Sequence, residues 1–141
     1  MGHVDPVGWE NLVPLEPAGE DINCYRYACN TKTGPAIPGR GINPFPAGQA
    51  TCANVIAGVK KDHPEARGVF PNGSCPEGMR KISIFASGND FHFHRQDPDG
   101  YWSHKPGFGD APICQPVRLR APERSFYNWR YKWCGYLCIN Q

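Results

Sequence analysis

The sequence predicts a loop-rich α+β domain in which short N-terminal helices pack on a central antiparallel sheet. Its 141 residues fit one domain with a modest core. Its 16 glycines and 15 prolines argue against long helices. Residues 81–107 have the composition and alternation of antiparallel strands. We therefore treat residues 1–141 as a single domain, with residues 1–21 as an extended N-terminal arm on its surface.

The central strands are predicted within residues 81–107. Residues 81–87 are rich in β-formers, and residues 90–96 are aromatic with alternating character. Residues 101–105 then return along the second strand. The sheet is predicted to be centred on these segments.

A four-residue turn, Asp97-Pro98-Asp99-Gly100, sets the predicted register. Asp first, Pro second and Gly fourth suit a type I turn, and Gly100 suits the left-handed position that follows it in a three-residue hairpin loop. In that register Asp97 pairs with Tyr101, and His94 lies opposite His104. Because side chains alternate along a strand, one face is predicted to carry His92, His94, Gln96, Trp102 and His104.

Two helices are predicted before the sheet. The first begins near Cys24, where Asp21 or Asn23 can cap it. The second runs from about Cys52 to Asp62, with Thr51 as its cap. Helical spacing places four apolar side chains on one face of the second helix: Cys52, Val55, Ile56 and Val59. We expect this face to pack on the sheet.

The remaining segments are mostly connections. Residues 35–48 form a loop rich in glycine and proline, and residues 65–80 form a turn-rich connection. Residues 115–119 alternate like a short strand, and residues 131–139 suit a closing strand.

Cysteine content favours an oxidising compartment. The chain has seven cysteines and none of their spacings forms a paired zinc ribbon. Together with the many prolines they favour an extracellular or exported protein stabilised by disulfides. No signal-peptide-like segment is visible, and no apolar run reaches the length of a membrane span.

Net charge argues against a nucleic-acid partner. The formal charge is only +2, too small for electrostatic binding by the whole molecule. The basic, aromatic segment 118–133 could stack on single-stranded nucleic acid. Such a segment is more often a core strand with solvated arginines.

The candidate nucleophile is Cys24. A thiol at the start of a helix is favoured as thiolate by the helix dipole, and a neighbouring imidazole can take its proton. The competing interpretation is that Cys24 is half of a disulfide or a small buried hydrophobe.

The order of these features resembles the NlpC/P60 branch of papain-like hydrolases. Those proteins place a Cys at a helix start, a His on a later strand and a second polar residue about twelve residues further, as Cys24, His92 and His104 do here. The resemblance implies a papain-like fold, no cofactor, and cleavage of a peptide or amide bond in a cell-wall-like substrate. It implies that Cys24 is the nucleophile, that His92 is the base and that His104 orients the base, with His94 as a rival base. The family's usual Asp-Cys-Ser-Gly start is Asn23-Cys24-Tyr25-Arg26 here.

Two other functions stay open. His92, His94 and His104 could form a zinc site, since three imidazoles plus water is a known zinc arrangement. Alternatively, the chain is a non-enzymatic, disulfide-stabilised exported protein that binds a partner or assembles into an oligomer or larger particle. Metal content and the state of Cys24 separate these alternatives.

Overall fold

The computed structural model describes residues 16–108, 113–114 and 130–141. Two helices, α1 (Cys24–Ala28) and α2 (Cys52–Asp62), accompany a six-stranded sheet with the order β1-β6-β2-β3-β4-β5. Every neighbouring strand pair is antiparallel. The strands are β1 (Arg67–Val69), β2 (Met79–Ala86), β3 (Phe91–Gln96), β4 (Trp102–His104), β5 (Ile113–Cys114) and β6 (Lys132–Asn140). The predicted α+β class and antiparallel sheet are confirmed.

Both helices begin where the sequence predicts. The Asn23 side chain caps α1 by accepting a hydrogen bond from the Arg26 amide at 3.0 Å. Its amide group also donates to the Ala36 carbonyl at 2.6 Å, which fixes the helix start to the glycine- and proline-rich loop. Thr51 caps α2 through the Asn54 amide at 3.2 Å. Capping satisfies amides that would otherwise lack partners at each helix start.

The β3–β4 hairpin has the predicted register. The Asp97 amide donates to the Tyr101 carbonyl at 2.8 Å, and the Gly100 amide donates to the Asp97 carbonyl at 2.8 Å. Gly100 has φ +88°, the left-handed conformation that the turn requires. Arg95 then pairs with Ser103, so continuing the register places His94 opposite His104.

Alternation along β3 divides the domain into two layers. Phe91 and Phe93 face the helices in an apolar core, and His92 and His94 project from the other side of the sheet. The core on the helix side contains Cys24, Tyr25, Ala28, Ala50, Val55, Val59, Ile82, Ile84, Ala86, Phe91, Phe93, Leu137 and Ile139. Ile56 packs against this cluster. The predicted packing of α2 on the sheet is therefore observed.

Strand β6 carries a β-bulge that changes the direction of its side chains. The register with β2 shifts between Ile84 and Phe85, so that Ile84 pairs with Gly135 and Phe85 with Trp133. Gly135 has φ +123° at this point. A bulge of this kind turns neighbouring side chains toward different faces. Trp133 therefore lies on the histidine side, and Cys134 faces α2.

Two disulfides attach other parts of the chain to β6. Cys52 at the start of α2 is bonded to Cys134, and Cys75 is bonded to Cys138. They lie on opposite faces of β6, because Cys138 is on the side away from the apolar core. The bonds span 82 and 63 residues, and loops of that size correspond to about 4 kcal/mol for a single crosslink.

Gly58 inside α2 allows a close approach of the loop over residues 35–48. A Cβ on Gly58 would lie 2.2 Å from the Pro38 carbonyl oxygen, and a Cβ on Gly39 would lie 2.7 Å from the Gly58 Cα. No side chain fits between these backbones. Glycine has a low helix propensity. The close approach of the loop explains why a glycine nevertheless occupies this position of α2.

The structure adds details that the sequence did not predict. β1 lies within the predicted turn-rich connection, and β6 is an interior strand between β1 and β2. The predicted strand 115–119 and residues 1–15 of the predicted arm lie outside the described residues. No helix of the described residues is long and apolar enough to span a bilayer.

Replacing Gly100 by valine should destabilise the domain by about 1–2 kcal/mol, because a β-branched residue resists positive φ. The free energy of unfolding from urea titration measures this effect. Gly68→Val is the matched control, since Gly68 has ordinary φ and open space around its Cα. An equal loss in both variants would contradict the role of the left-handed conformation.

Candidate functional site

Three histidines form a compact cluster on the sheet face opposite the helices. His92 and His94 come from β3 and His104 comes from β4. The His92 Nε2 and His104 Nδ1 atoms are 2.8 Å apart in a hydrogen bond, and the His94 and His104 rings are stacked with centroids 4.3 Å apart. One ring nitrogen from each residue lies within 4.8 Å of the other two. The turn that sets the hairpin register therefore assembles the predicted cluster.

Aromatic side chains share the sheet face of this cluster. The Phe85 ring lies 5.3 Å from the His94 ring, and Trp102 lies 5.4 Å from Tyr136 across the same face. Trp133 donates from its indole nitrogen to the Ser83 hydroxyl at 3.1 Å. The exposed fractions of His92, His94 and His104 are 3%, 0% and 6%. The histidine face is thus a second interior layer of the domain.

Burial controls the protonation of the three imidazoles. It lowers the pKa of His92 and His94 well below their ordinary value, and the neighbouring imidazoles add to the effect. Burial also lowers the pKa of His104 to about 4. Charging an imidazole in this buried layer would remove the ion from water, which costs free energy. The neutral form is therefore favoured at neutral pH.

The structure places Cys24 in the core on the other side of the sheet. It packs in the same apolar cluster as Phe93, whose strand neighbours His92 and His94 point away from it. Within the part of the chain that is described, no hydrogen bond joins the Cys24 thiol to a histidine. The structure therefore brings together three of the four predicted site residues and leaves Cys24 apart.

The thiol of Cys24 is buried, with an exposed fraction of 6%. Burial raises its pKa to about 12, although a hydrogen bond with the Phe93 backbone opposes this effect. Asp90 raises the pKa further by its negative charge. The helix-start position therefore does not yield a thiolate at neutral pH, contrary to the expectation from the helix dipole.

A buried polar network fixes α1 to the hairpin. Arg95 donates to Asp97 Oδ1 at 2.8 Å and to the Tyr27 carbonyl at 3.0 Å. Ser103 donates to Asp97 Oδ2 at 2.5 Å and is also 2.6 Å from the Tyr27 hydroxyl. The guanidinium carbon lies 3.8 Å from the centroid of the Tyr27 ring. This network connects the first helix with the histidine-bearing hairpin.

A second cysteine–histidine contact was not predicted from the sequence. Cys29 Sγ lies 3.3 Å from His63 Nε2, and His63 Nδ1 lies 3.5 Å from Glu65 Oε2. Burial, followed by the charge of Asp62, raises the pKa of the Cys29 thiol. The order thiol, imidazole and carboxylate is that of a catalytic triad, but the thiol is held in its neutral form. Cys29 and His63 are 34 positions apart, and no local motif connects them.

The fold and these sites define a small disulfide-linked α+β domain with a buried histidine cluster. The chain is 30% identical over 136 residues to insoluble matrix shell protein 1 of Ruditapes philippinarum. The match covers 88% of this chain and 85% of that protein. The chain therefore belongs to the family of this shell protein. No family model matches it, and no solved structure matches it significantly.

The stability of the metal-free chain should depend on pH through the histidine cluster. The unfolded imidazoles have a pKa of about 6.5, and the folded ones have lower values. The unfolded chain therefore binds more protons below this pH. The free energy of unfolding should be highest above about pH 6.5 and should fall as the pH is lowered toward 4, by roughly 1.4 kcal/mol per unit of pKa difference for each group.

Urea denaturation at several pH values, with chelator present, measures this dependence. His104→Gln should flatten the slope between about pH 6.5 and 4, because it removes one titrating group. His63→Gln is the control, since His63 lies outside the cluster and is partly exposed. A steep slope that is unchanged in the His104 variant would show that other groups cause the acid sensitivity.

Proposed function

We propose that this chain is a non-enzymatic, disulfide-stabilised structural protein of an extracellular insoluble matrix. The observation that carries the proposal is kinship over 88% of the chain with a protein named as an insoluble matrix shell protein. The match spans most of both proteins, so it is not confined to one short shared segment.

The covalent structure supports this role. Both disulfides end on β6, an interior strand, and they attach α2 on one face and the segment around Cys75 on the other. Crosslinks of long span restrict the unfolded chain and so favour the folded one. A domain of this kind keeps its shape outside the cell, where disulfides persist.

Chemical features of the site also favour a structural role. A thiol hydrolase needs a thiolate beside an imidazole. Here the Cys24 thiol is neutral in the core and the histidines lie on the other side of the sheet. The free thiol of Cys29 is likewise kept neutral.

Extraction of tissue from the source organism tests the proposal. An antibody raised against the folded chain should detect it outside cells, in the fraction that stays insoluble in saline and detergent. An antibody against an abundant cytosolic protein provides the control for cell breakage. Recovery of the chain in the soluble intracellular fraction would refute a matrix role.

A papain-like thiol hydrolase of the NlpC/P60 kind is the alternative function. It is favoured by the position of Cys24 as the first residue of α1 and by the packing of α1 on β3. For Cys24 to act, α1 and the sheet would have to rearrange so that the thiol and an imidazole lie on the same side of the sheet. The histidines of such an enzyme would be His92 or His94, with His104 beside them.

Alkylation distinguishes the two functions. With a pKa of about 12, Cys24 should react with iodoacetamide roughly three orders of magnitude more slowly in the folded chain than in the denatured chain, whose thiols have a pKa of about 8.5. Labelling at several pH values, followed by peptide mass spectrometry, measures both rates. Faster labelling of folded than of denatured protein at mildly acidic pH would favour the hydrolase instead.

A further inference from the structure

We propose that His92, His94 and His104 bind one zinc ion. This site is separate from the matrix role and depends on neither the shell-protein kinship nor a reactive thiol. Among the described residues, these three side chains have ligand atoms close enough to one another to hold a single metal ion.

The spacing of the ring nitrogens suits a four-coordinate ion. Zinc binds imidazole nitrogen at about 2.0–2.1 Å, so neighbouring ligand atoms in a tetrahedral site lie about 3.3 Å apart. The His92 and His104 nitrogens are 2.8 Å apart, and all three ligand atoms lie within 4.8 Å. Changes of about 0.5–1.5 Å in these separations would bring the three nitrogens to the tetrahedral distance. Zinc would replace the His92–His104 hydrogen bond.

Ligand chemistry selects the type of metal. Imidazole suits zinc and neighbouring transition metals, whereas calcium and magnesium take oxygen ligands. Among the described residues the cluster contains three imidazoles and no carboxylate. The site is therefore specific for a transition metal rather than for calcium. Three imidazoles leave the fourth position of zinc to another ligand.

The surroundings hold the ligands in place. His92 and His94 are fixed on β3 by pairing with Phe85 and Ser83 of β2. His104 is fixed on β4 by pairing with Ile113 of β5 and by the hairpin that joins β3 to β4. The aromatic ring of Phe85 packs against His94. Because the imidazoles are presented by paired strands, little conformational entropy is lost when the ion binds.

Calorimetric titration of the metal-stripped, full-length chain with zinc chloride tests the proposal. The disulfides stay intact, and calcium chloride serves as the control metal. We expect one zinc per chain, no binding of calcium, and a rise in the melting temperature with zinc concentration. Absence of stoichiometric zinc binding by the unmodified chain would overturn the proposal, whatever the variants do.

Variants locate the bound ion. His94→Gln and His104→Gln should each weaken zinc binding by more than about 10-fold, since loss of a direct ligand exceeds the effect of an outer partner. His63→Gln should bind as the unmodified chain does. Circular dichroism and disulfide mapping verify that each variant folds.

Zinc binding that is lost in His63→Gln or Cys29→Ser but retained in His94→Gln would also overturn the proposal, because it would assign the ion to the Cys29–His63 contact. If the cluster variants do not fold, nitrogen-detected NMR of the unmodified chain replaces them. Zinc should then shift the imidazole resonances of the three cluster residues and leave those of His63 unchanged. Shifts confined to His63 would contradict the site.

Discussion

Burial of both faces of β3 is the constraint on which the rest of the domain depends. A strand in a small domain commonly has one face in the core and one in water. Here Phe93 lies in the helix-side core and His94 has an exposed fraction of 0% on the other face. Two interior layers mean that other segments of a chain of only 141 residues must cover both faces of the sheet. The disulfides and the buried polar network provide attachments between these layers and the loops.

Charged side chains in this interior have specific hydrogen-bond partners. Arg95 is buried with Asp97, and their remaining hydrogen-bonding groups are matched by backbone carbonyls and a hydroxyl. Lys81 is also buried, and its ammonium donates to the Pro71 and Gly73 carbonyls at 2.6 and 2.8 Å. Buried charges are costly unless they are satisfied in this way. In each case the charged group fixes a loop or helix against the sheet.

Local features of the fold could be predicted from the sequence. The Asp97–Gly100 turn gave the register that assembles the histidines, because turn chemistry and alternation act over a few residues. Asn23 and Thr51 marked the helix starts for the same reason.

Features that depend on residues distant in sequence could not be predicted. The β6 bulge, the disulfide partners of Cys52 and Cys75, and the Cys29–His63 contact each join segments more than 30 positions apart. Cys24 shows the limit most clearly. Its helix-start position predicted an ionised thiol, whereas burial in the core raises the pKa of the thiol and favours its neutral form.

The place of β6 in the chain has a consequence for biogenesis. Ribosomes make α2, β1 and β2 before β6, yet Cys52 and Cys75 find their partners only on β6. A nascent chain that ends before Cys134 therefore presents reduced Cys52 and Cys75 together with Cys24 and Cys29. Oxidation of Cys52 or Cys75 at that stage would create wrong pairs. Native crosslinking must follow synthesis of β6, and a disulfide isomerase that reshuffles early pairs would raise the yield of folded protein.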